Sequence, residues 1–350
     1  MWDHVSRMFE TSRPNAGAII QHMAKLTADG RVREAISFGA RQNVRLGSHL
    51  VSNEIVKLRN LAFKQGAPSA SWPPTCADLF KGTSGIPEIE AKDLSSEVLG
   101  SAIWHHGSLI IRGLIPENFA AEMRERIDYA MAESTALRAD GREWETGSPW
   151  YSRNPATQHH PMLHARHFTE TGDGSVLAGD SPHTFEKIIA KYESMGVFKA
   201  VEGYIGERPA LSLGKTVLRR IPITNGTDWH QDGAFLGADI RVVNLWVTLS
   251  DCGVDAAGLD VIAKRFPNVL ETGTQGAQFN WSVGPGLVDS MQPPVKIQTP
   301  VFRAGDAMMF DQFCLHRTGI RPGMTKERYA IESWMFAPSA FPMDQFPLFV

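Results

Sequence analysis

Through residues 1 to about 70 apolar positions recur at helical spacing, with Ala18, Ile19, Met23 and Leu26 beside His22 on one stripe and Leu50, Ile55, Leu58 and Leu61 on another. No strand-like alternation interrupts them, so residues 1–100 read as a helical N-terminal extension. Gly66-Ala-Pro-Ser-Ala-Ser-Trp-Pro-Pro74 marks a linker near 66–74. The pattern then changes: Ser108-Leu-Ile-Ile-Arg112 is a short β-branched run. Pro116 opens a helix whose Phe119, Met123, Ile127, Ala130 and Met131 share a stripe. Beyond about residue 210, the runs 216–221, 240–249, 259–263, 307–310 and 329–336 are separated by Gly, Pro, Asn and Asp. Many short strands without intervening helices predict a mainly β architecture with flanking helices. The expected core, over residues 101–350, is a double-stranded β-helix of the jelly-roll, cupin-like kind. Residues 264–300, strand-poor and holding four glycines, are expected as a long lid-like insertion.

Composition narrows the classes. At 350 residues, with 43% hydrophobic and 21% charged residues, the chain is long enough for a sizeable core and is neither disordered nor fibrous. A net charge of −3 leaves no positive field to hold a polyanion, so a nucleic-acid partner is not expected. Cys76, Cys252 and Cys314 are odd in number and far apart, which indicates neither a disulfide framework nor a zinc ribbon. With no secretory signal or membrane span in the sequence, a cytoplasmic enzyme with no membrane partner is the expectation. Oligomeric state is not readable.

Several motifs fail. Gly214-Lys-Thr216 lacks the first glycine of a phosphate-binding loop, that position being Pro209. Neither a G-x-S-x-G elbow nor an H-E-x-x-H helix is present. His159, His160, His164 and His167 cluster without a carboxylate or thiol at a supporting spacing, and Pro161 interrupts them, so they read as histidines of a polar loop.

Trp229-His-Gln-Asp-Gly233 is different. His230 and Asp232, two apart in a strand, project on one face and can grip one ion. With 12 histidines and 38 acidic residues in 350, about one such pair arises by chance, so context must decide. Cys314, His316 and Thr318 share a face of a second short strand, and Arg328, twelve residues past His316, opens a strand able to return a guanidinium to the same space. Two histidines and one carboxylate leave three open positions on an octahedral Fe(II), enough for a bidentate oxo-acid and dioxygen. Arg328 then has a task, since a planar fork pairs with the far carboxylate of 2-oxoglutarate better than a lysine does. Its bland alternative is an ion pair with Glu327 or Glu332, and Arg321 is its rival as anchor.

In these residues the sequence resembles the phytanoyl-CoA dioxygenase family of Fe(II)/2-oxoglutarate-dependent oxygenases. The resemblance runs from about 103 to 337, through H-G-S-L-I-I-R-G-L-I-P at 106–116, W-H-Q-D-G at 229–233, V-N-L-W-V-T-L at 243–249, A-G-L-D-V-I at 257–262, H-R-T-G at 316–319 and R-Y-A-I at 328–331. It implies His230, Asp232 and His316 as iron ligands and catalytic centre, Arg328 and Thr318 as the carboxylate anchor, and Trp246 as a wall of the cosubstrate pocket. Fe(II), 2-oxoglutarate and O2 are the implied cofactor and cosubstrates. The expected reaction is hydroxylation, or another oxidation, of an unactivated C–H in a small organic metabolite, with 2-oxoglutarate converted to succinate and CO2. Asp232 occupies the position a halogenase leaves for chloride, which favours hydroxylation. Trp150, Tyr151, Phe235 and Trp281 are expected to rim the barrel mouth, and one of Arg219 and Arg220 to face inward. Two alternatives stand beside this reading: a catalytically silent jelly-roll ligand-binding protein, and a zinc- or manganese-loaded cupin-type hydrolase or isomerase.

Overall fold

The computed structural model describes residues 15–65, 72, 74–142, 148–155, 174–223 and 226–350. The histidines at 159, 160, 164 and 167 lie outside these.

Three helices, α1 (Ala16–Ala28), α2 (Val32–Leu46) and α3 (His49–Ala62), form the N-terminal unit. Their stripes meet in a small core of Ile19, Met23, Ala35, Ile36, Val51 and Ile55. Asn15 caps α1 by accepting the amide of Ala18 at 2.7 Å. A buried ion pair, Arg59 to Glu186 at 2.8 Å, ties α3 to the rest of the molecule.

The larger part is a jelly-roll-type barrel of two facing sheets. The large sheet takes β1 (Glu88–Glu90), β2 (Ser108–Arg112), β8 (Ala307–Phe310), β5 (Val242–Thr248), β10 (Arg328–Phe336), β4 (Ala210–Ile221) and β11 (Pro347–Phe349) in that spatial order, with β3 (Ser175–Leu177) on β4. The small sheet is β7 (Ile297–Gln298), β6 (Gly258–Arg265) and β9 (Cys314–Gly319). Pairings in the central strands are antiparallel, and alternate residues therefore divide cleanly between two faces.

On the outer face Val243, Leu245, Val247, Met309, Ile331 and Met335 join a large apolar core with α4 (Ser96–His106), α5 (Glu117–Ala139), α6 (Phe185–Ser194) and α7 (Val197–Ile205). On the inner face Trp246, Met308, Phe310 and Ala330 meet Leu259, Val261 and Cys314 of the small sheet. The outer face of the small sheet is covered by the 264–300 segment, through Ile262, Leu315, Phe266, Val283 and Val288. That segment holds one short helix, α9 (Pro285–Ser290), and is otherwise turns and loop up to β7. Among the described residues no helix is long and apolar enough to cross a membrane.

Candidate metal centre

His230 and His316 lie 86 residues apart in sequence, yet the backbone pairs them directly. The amide of His230 donates to the carbonyl of His316 at 2.9 Å, and that of His316 donates back at 3.1 Å. This reciprocal bridge sets the imidazoles side by side, ring centres 4.3 Å apart. Each ring's Nδ1 faces a carbonyl, Asp228 O at 2.8 Å for His230 and Cys314 O at 3.1 Å for His316. A carbonyl can only accept, so Nδ1 carries the proton and Nε2 presents a free lone pair to the interior.

Asp232 does not lie in a strand, contrary to the alternation expected from the sequence. Past His230 the chain turns, and Asp232 has helical dihedrals (φ −59°, ψ −29°) as the cap of a single turn, α8 (Gly233–Leu236). The turn returns its carboxylate to 4.0 Å from His230 Nε2. Gly233 makes this possible, because a Cβ there would meet Val269 Cγ2 at 2.9 Å and Gln312 O at 3.2 Å. One ligand atom from each of His230, Asp232 and His316 lies within 4.8 Å of the others, a separation that one divalent ion can bridge.

The electrostatics suit an ion. Burial, followed by the neighbouring His316, pushes His230 down to about 4. Burial raises Asp232 to about 6, opposed by His230, although Asn244 Nδ2 donates to its Oδ2 at 3.1 Å. Neutral imidazoles and a carboxylate short of positive charge form a donor set that a cation completes. A structural bystander cluster would have paired that carboxylate with an arginine.

Arg328 opens β10 on the same inner face of the large sheet. It is 5% exposed, and its Nη1 donates to the carbonyls of Ala257 and Gly258 at 3.1 and 3.0 Å. Its Nε is buried with no partner, and among the described residues no carboxylate pairs with it. Both bland alternatives are otherwise engaged: Glu327 pairs with Arg220 and Glu332 with Arg219. The rival Arg321 is held by Asp260. Burial depresses Arg328 to about 10, so it remains a buried cation at neutral pH. Trp246 lies beneath it, guanidinium carbon 5.4 Å from the ring centre. Thr318, opposite Leu259 and so one residue from the Gly258 carbonyl that Arg328 binds, has its hydroxyl 3.0 Å from that of Thr227.

Of the aromatic residues expected at the mouth, Phe235 and Trp281 lie beside His230, at 6.3 and 5.6 Å between ring centres. Trp150 and Tyr151 do not. Trp150 stacks on Tyr129 of α5, and Tyr151 packs with Leu137 and Val176 on the helical side of the sheet. Arg219 is the inward arginine, bound to Glu332 at 2.6 Å, while Arg220 reaches outward to Glu327 and Asp128.

Residues not singled out from the sequence complete the surroundings. Gln231, between His230 and Asp232, donates to Phe313 O at 2.8 Å and accepts from the Leu270 amide at 2.7 Å. Asp228 accepts from the Gln278 amide and the Ser282 hydroxyl, and the Val283 amide donates to Trp229 O at 2.7 Å. The 264–300 segment is thereby fastened to both sides of the His230–Asp232 turn. Glu332, on the inner face of β10, would be raised by burial, but Arg219 outweighs that and holds it down at about 2.

The sequence model of the phytanoyl-CoA dioxygenase (PhyH) family matches residues 104–320, more than half of the chain. The chain belongs to the phytanoyl-CoA dioxygenase (PhyH) family. Membership places it in the Fe(II)/2-oxoglutarate-dependent oxygenase superfamily. No curated protein matches it by sequence. Among solved structures, EctD from S. alaskensis in its apo form is similar at 14% identity and a TM-score of 0.50, over 73% of this chain and 83% of that one. AviO1 from Streptomyces viridochromogenes Tue57 aligns at 14% identity and 0.42, over 71% and 98%. The carbocyclase SnoK from nogalamycin biosynthesis aligns at 15% and 0.44, over 72% and 87%. At such identities the likeness to EctD is one of fold.

Proposed function

We propose that this PhyH-family chain is an Fe(II)/2-oxoglutarate-dependent dioxygenase that hydroxylates, or otherwise oxidises, a C–H bond of a small organic molecule. For hydroxylation the balance is substrate C–H, O2 and 2-oxoglutarate giving substrate C–OH, succinate and CO2. The observation that carries the reading is the conjunction, between the two sheets, of three converging donors and a buried arginine that pairs with no carboxylate among the described residues. Either alone has ordinary explanations. Together they match a metal and a cosubstrate whose two ends need different partners.

His230, Asp232 and His316 would hold the iron, and Arg328 the far carboxylate of 2-oxoglutarate, with Thr318 beside it and Trp246 as the pocket wall. Bound there, the metal and cosubstrate supply the oxidising power that no protein side chain has. The chain's own residues bind, orient and exclude water. The Asp228 and Cys314 carbonyls fix both imidazole tautomers, Asn244 orients the Asp232 carboxylate, and the 264–300 segment covers the small sheet behind the ligands. Asp232 as third ligand supports hydroxylation over halogenation.

The test is succinate formation by the purified protein with Fe(II), ascorbate and 2-oxoglutarate across a panel of organic metabolites. Substrate-dependent succinate, lost when O2 is removed, is the expected result. Turnover that proceeds without O2 or 2-oxoglutarate, with zinc or manganese in place of iron, would establish a cupin-type hydrolase or isomerase instead. Protein that binds organic ligands yet never forms succinate would be a silent jelly-roll binder.

A further inference from the structure

Lys215 has no task in the chemistry above. On β4, Arg219 and Val217 stand opposite Ala330 and Glu332 on the inner face, and Lys215 continues that row toward Trp334. Its Nζ lies 4.5 Å from the ring centre of Trp334 and 5.2 Å from that of Phe235. Phe235 in turn stacks on Trp334 at 5.7 Å and reaches Trp281 at 5.7 Å and His230 at 6.3 Å. The ammonium is therefore one aromatic ring removed from a metal ligand. Along β10, Arg328 and Trp334 are six residues apart, roughly 20 Å at the rise of a strand. Arg328 and Lys215 thus mark opposite ends of the inner face.

Among the described residues the Lys215 ammonium has no hydrogen-bond acceptor and no ion-pair partner. Glu332, the carboxylate on the neighbouring strand, is committed to Arg219 at 2.6 Å and to Trp334 Nε1 at 3.1 Å. Two rings offset part of the cost of a partly buried cation, but they leave its three N–H donors unused. The Nζ keeps access to solvent, so an anion arriving from solution can reach it. Aromatic surface beside it is open to solvent: Phe235 is 39% and Phe279 46% exposed, and Trp281 lies parallel to Phe279 at 4.9 Å. Exposed flat rings around one donor group are the lining of a small-molecule site.

We propose that this end of the inner face recognises an organic substrate with a flat apolar body and one carboxylate, Lys215 taking the carboxylate while Phe235, Trp281 and Trp334 contact the body beside His230. A lone ammonium flanked by rings, with Glu332 nearby, suits a monoanion; a phosphate dianion would call for more donors. The assignment of this ligand as substrate rests on the oxygenase reading, whereas its binding does not. A carboxylate could also belong to 2-oxoglutarate, and the experiment separates the two.

Calorimetric titration of the full chain, loaded anaerobically with Fe(II) and 2-oxoglutarate, compares 2-naphthoate with its uncharged isostere 2-naphthamide. The acid is expected to bind at least ~10-fold more tightly, the usual scale of a charge-assisted hydrogen bond. Lys215→Met, of similar volume, should erase that preference while the dissociation constant for 2-oxoglutarate stays within about two-fold. Equal affinity for acid and amide in the unsubstituted protein, or binding of neither, overturns the proposal without any variant. A tenfold loss of 2-oxoglutarate affinity in Lys215→Met also overturns it, by reassigning the lysine to the cosubstrate. Failure of the oxygenase reading looks different: the acid preference and its loss persist while no substrate ever yields succinate.

Discussion

The two faces of the large sheet are built from alternate residues of the same strands and have opposite characters. Outward, Val243, Leu245, Val247, Ile331 and Met335 are sealed under helices, and the buried hydroxyls there pair off, Tyr192 with Ser333 at 3.2 Å. Inward, Asn244, Trp246, Arg328, Glu332 and Trp334 are almost as deeply placed but leave needs unmet: Asn244 Oδ1 and Arg328 Nε have no partner. Burying polar atoms in that way costs stability. The difference teaches where to look for each property: the outer face holds the fold, and the inner face carries the buried polar and charged groups on which the proposed function rests.

Substitutions on the two faces should therefore separate folding from chemistry. The largest effect belongs inside. Asp232→Ala or His316→Ala should lower substrate-dependent succinate formation on the order of 10³-fold or more, about 4 kcal/mol of barrier, with an unchanged melting temperature. Outside, Leu245→Ala should cost about 2–5 kcal/mol in urea unfolding by leaving a cavity, while the folded fraction binds Fe(II) as before. A Leu245→Ala protein of full stability but no iron affinity would break the division.

Arg328→Ala sharpens the comparison, because it removes a buried charge with no counter-ion among the described residues. The 2-oxoglutarate dissociation constant should rise about 10- to 100-fold, and ligand-free protein should melt no lower than the unsubstituted chain. Calorimetry and thermal melts read the two quantities separately.

The smallest effect concerns the Arg219–Glu332 pair. Glu332 titrates near 2 when folded and near the ordinary glutamate range when unfolded. Its contribution is complete above about pH 4.5 and disappears as the pH falls toward 2. With side chains 16% and 17% exposed, solvent screening reduces that contribution to roughly 2 kcal/mol. Glu332→Gln should flatten the acid limb of a stability-against-pH curve over that window; an unchanged limb would remove this pair from the account.

Much of this was legible in the sequence. Short runs bounded by Gly, Pro, Asn and Asp located the strands at 216–221, 240–249, 259–263, 307–310 and 329–336, and helical spacing located the N-terminal helices, although Leu50 and Leu61 are exposed rather than on the buried stripe. Residue type, spacing and the family resemblance single out His230, Asp232, His316 and Arg328, and the structure brings ligand atoms of the first three within 4.8 Å of one another. What spacing alone cannot supply is cross-strand partnership. Arg219 and Arg220 are equivalent in an isolated strand, and only Glu332 on β10 decides which one faces inward. Lys215 was hidden by a register shift between Ser333 and Met335, which resets the phase of β4 near that residue. Asp232 was expected in a strand because His-x-Asp alternates like one, whereas Gly233 lets the chain turn there instead. Trp150 and Tyr151 looked like mouth residues because aromatic character carries no direction, and α5 claims both.

The convergence of His230, Asp232 and His316 on one ion is tested most directly by anaerobic Fe(II) titration in the presence of 2-oxoglutarate, followed by visible charge-transfer absorbance. The band should saturate at one iron per chain in the unsubstituted protein and be absent from Asp232→Ala and His316→Ala at the same concentrations. An undiminished band in either variant, or no band in the unsubstituted protein, would contradict it.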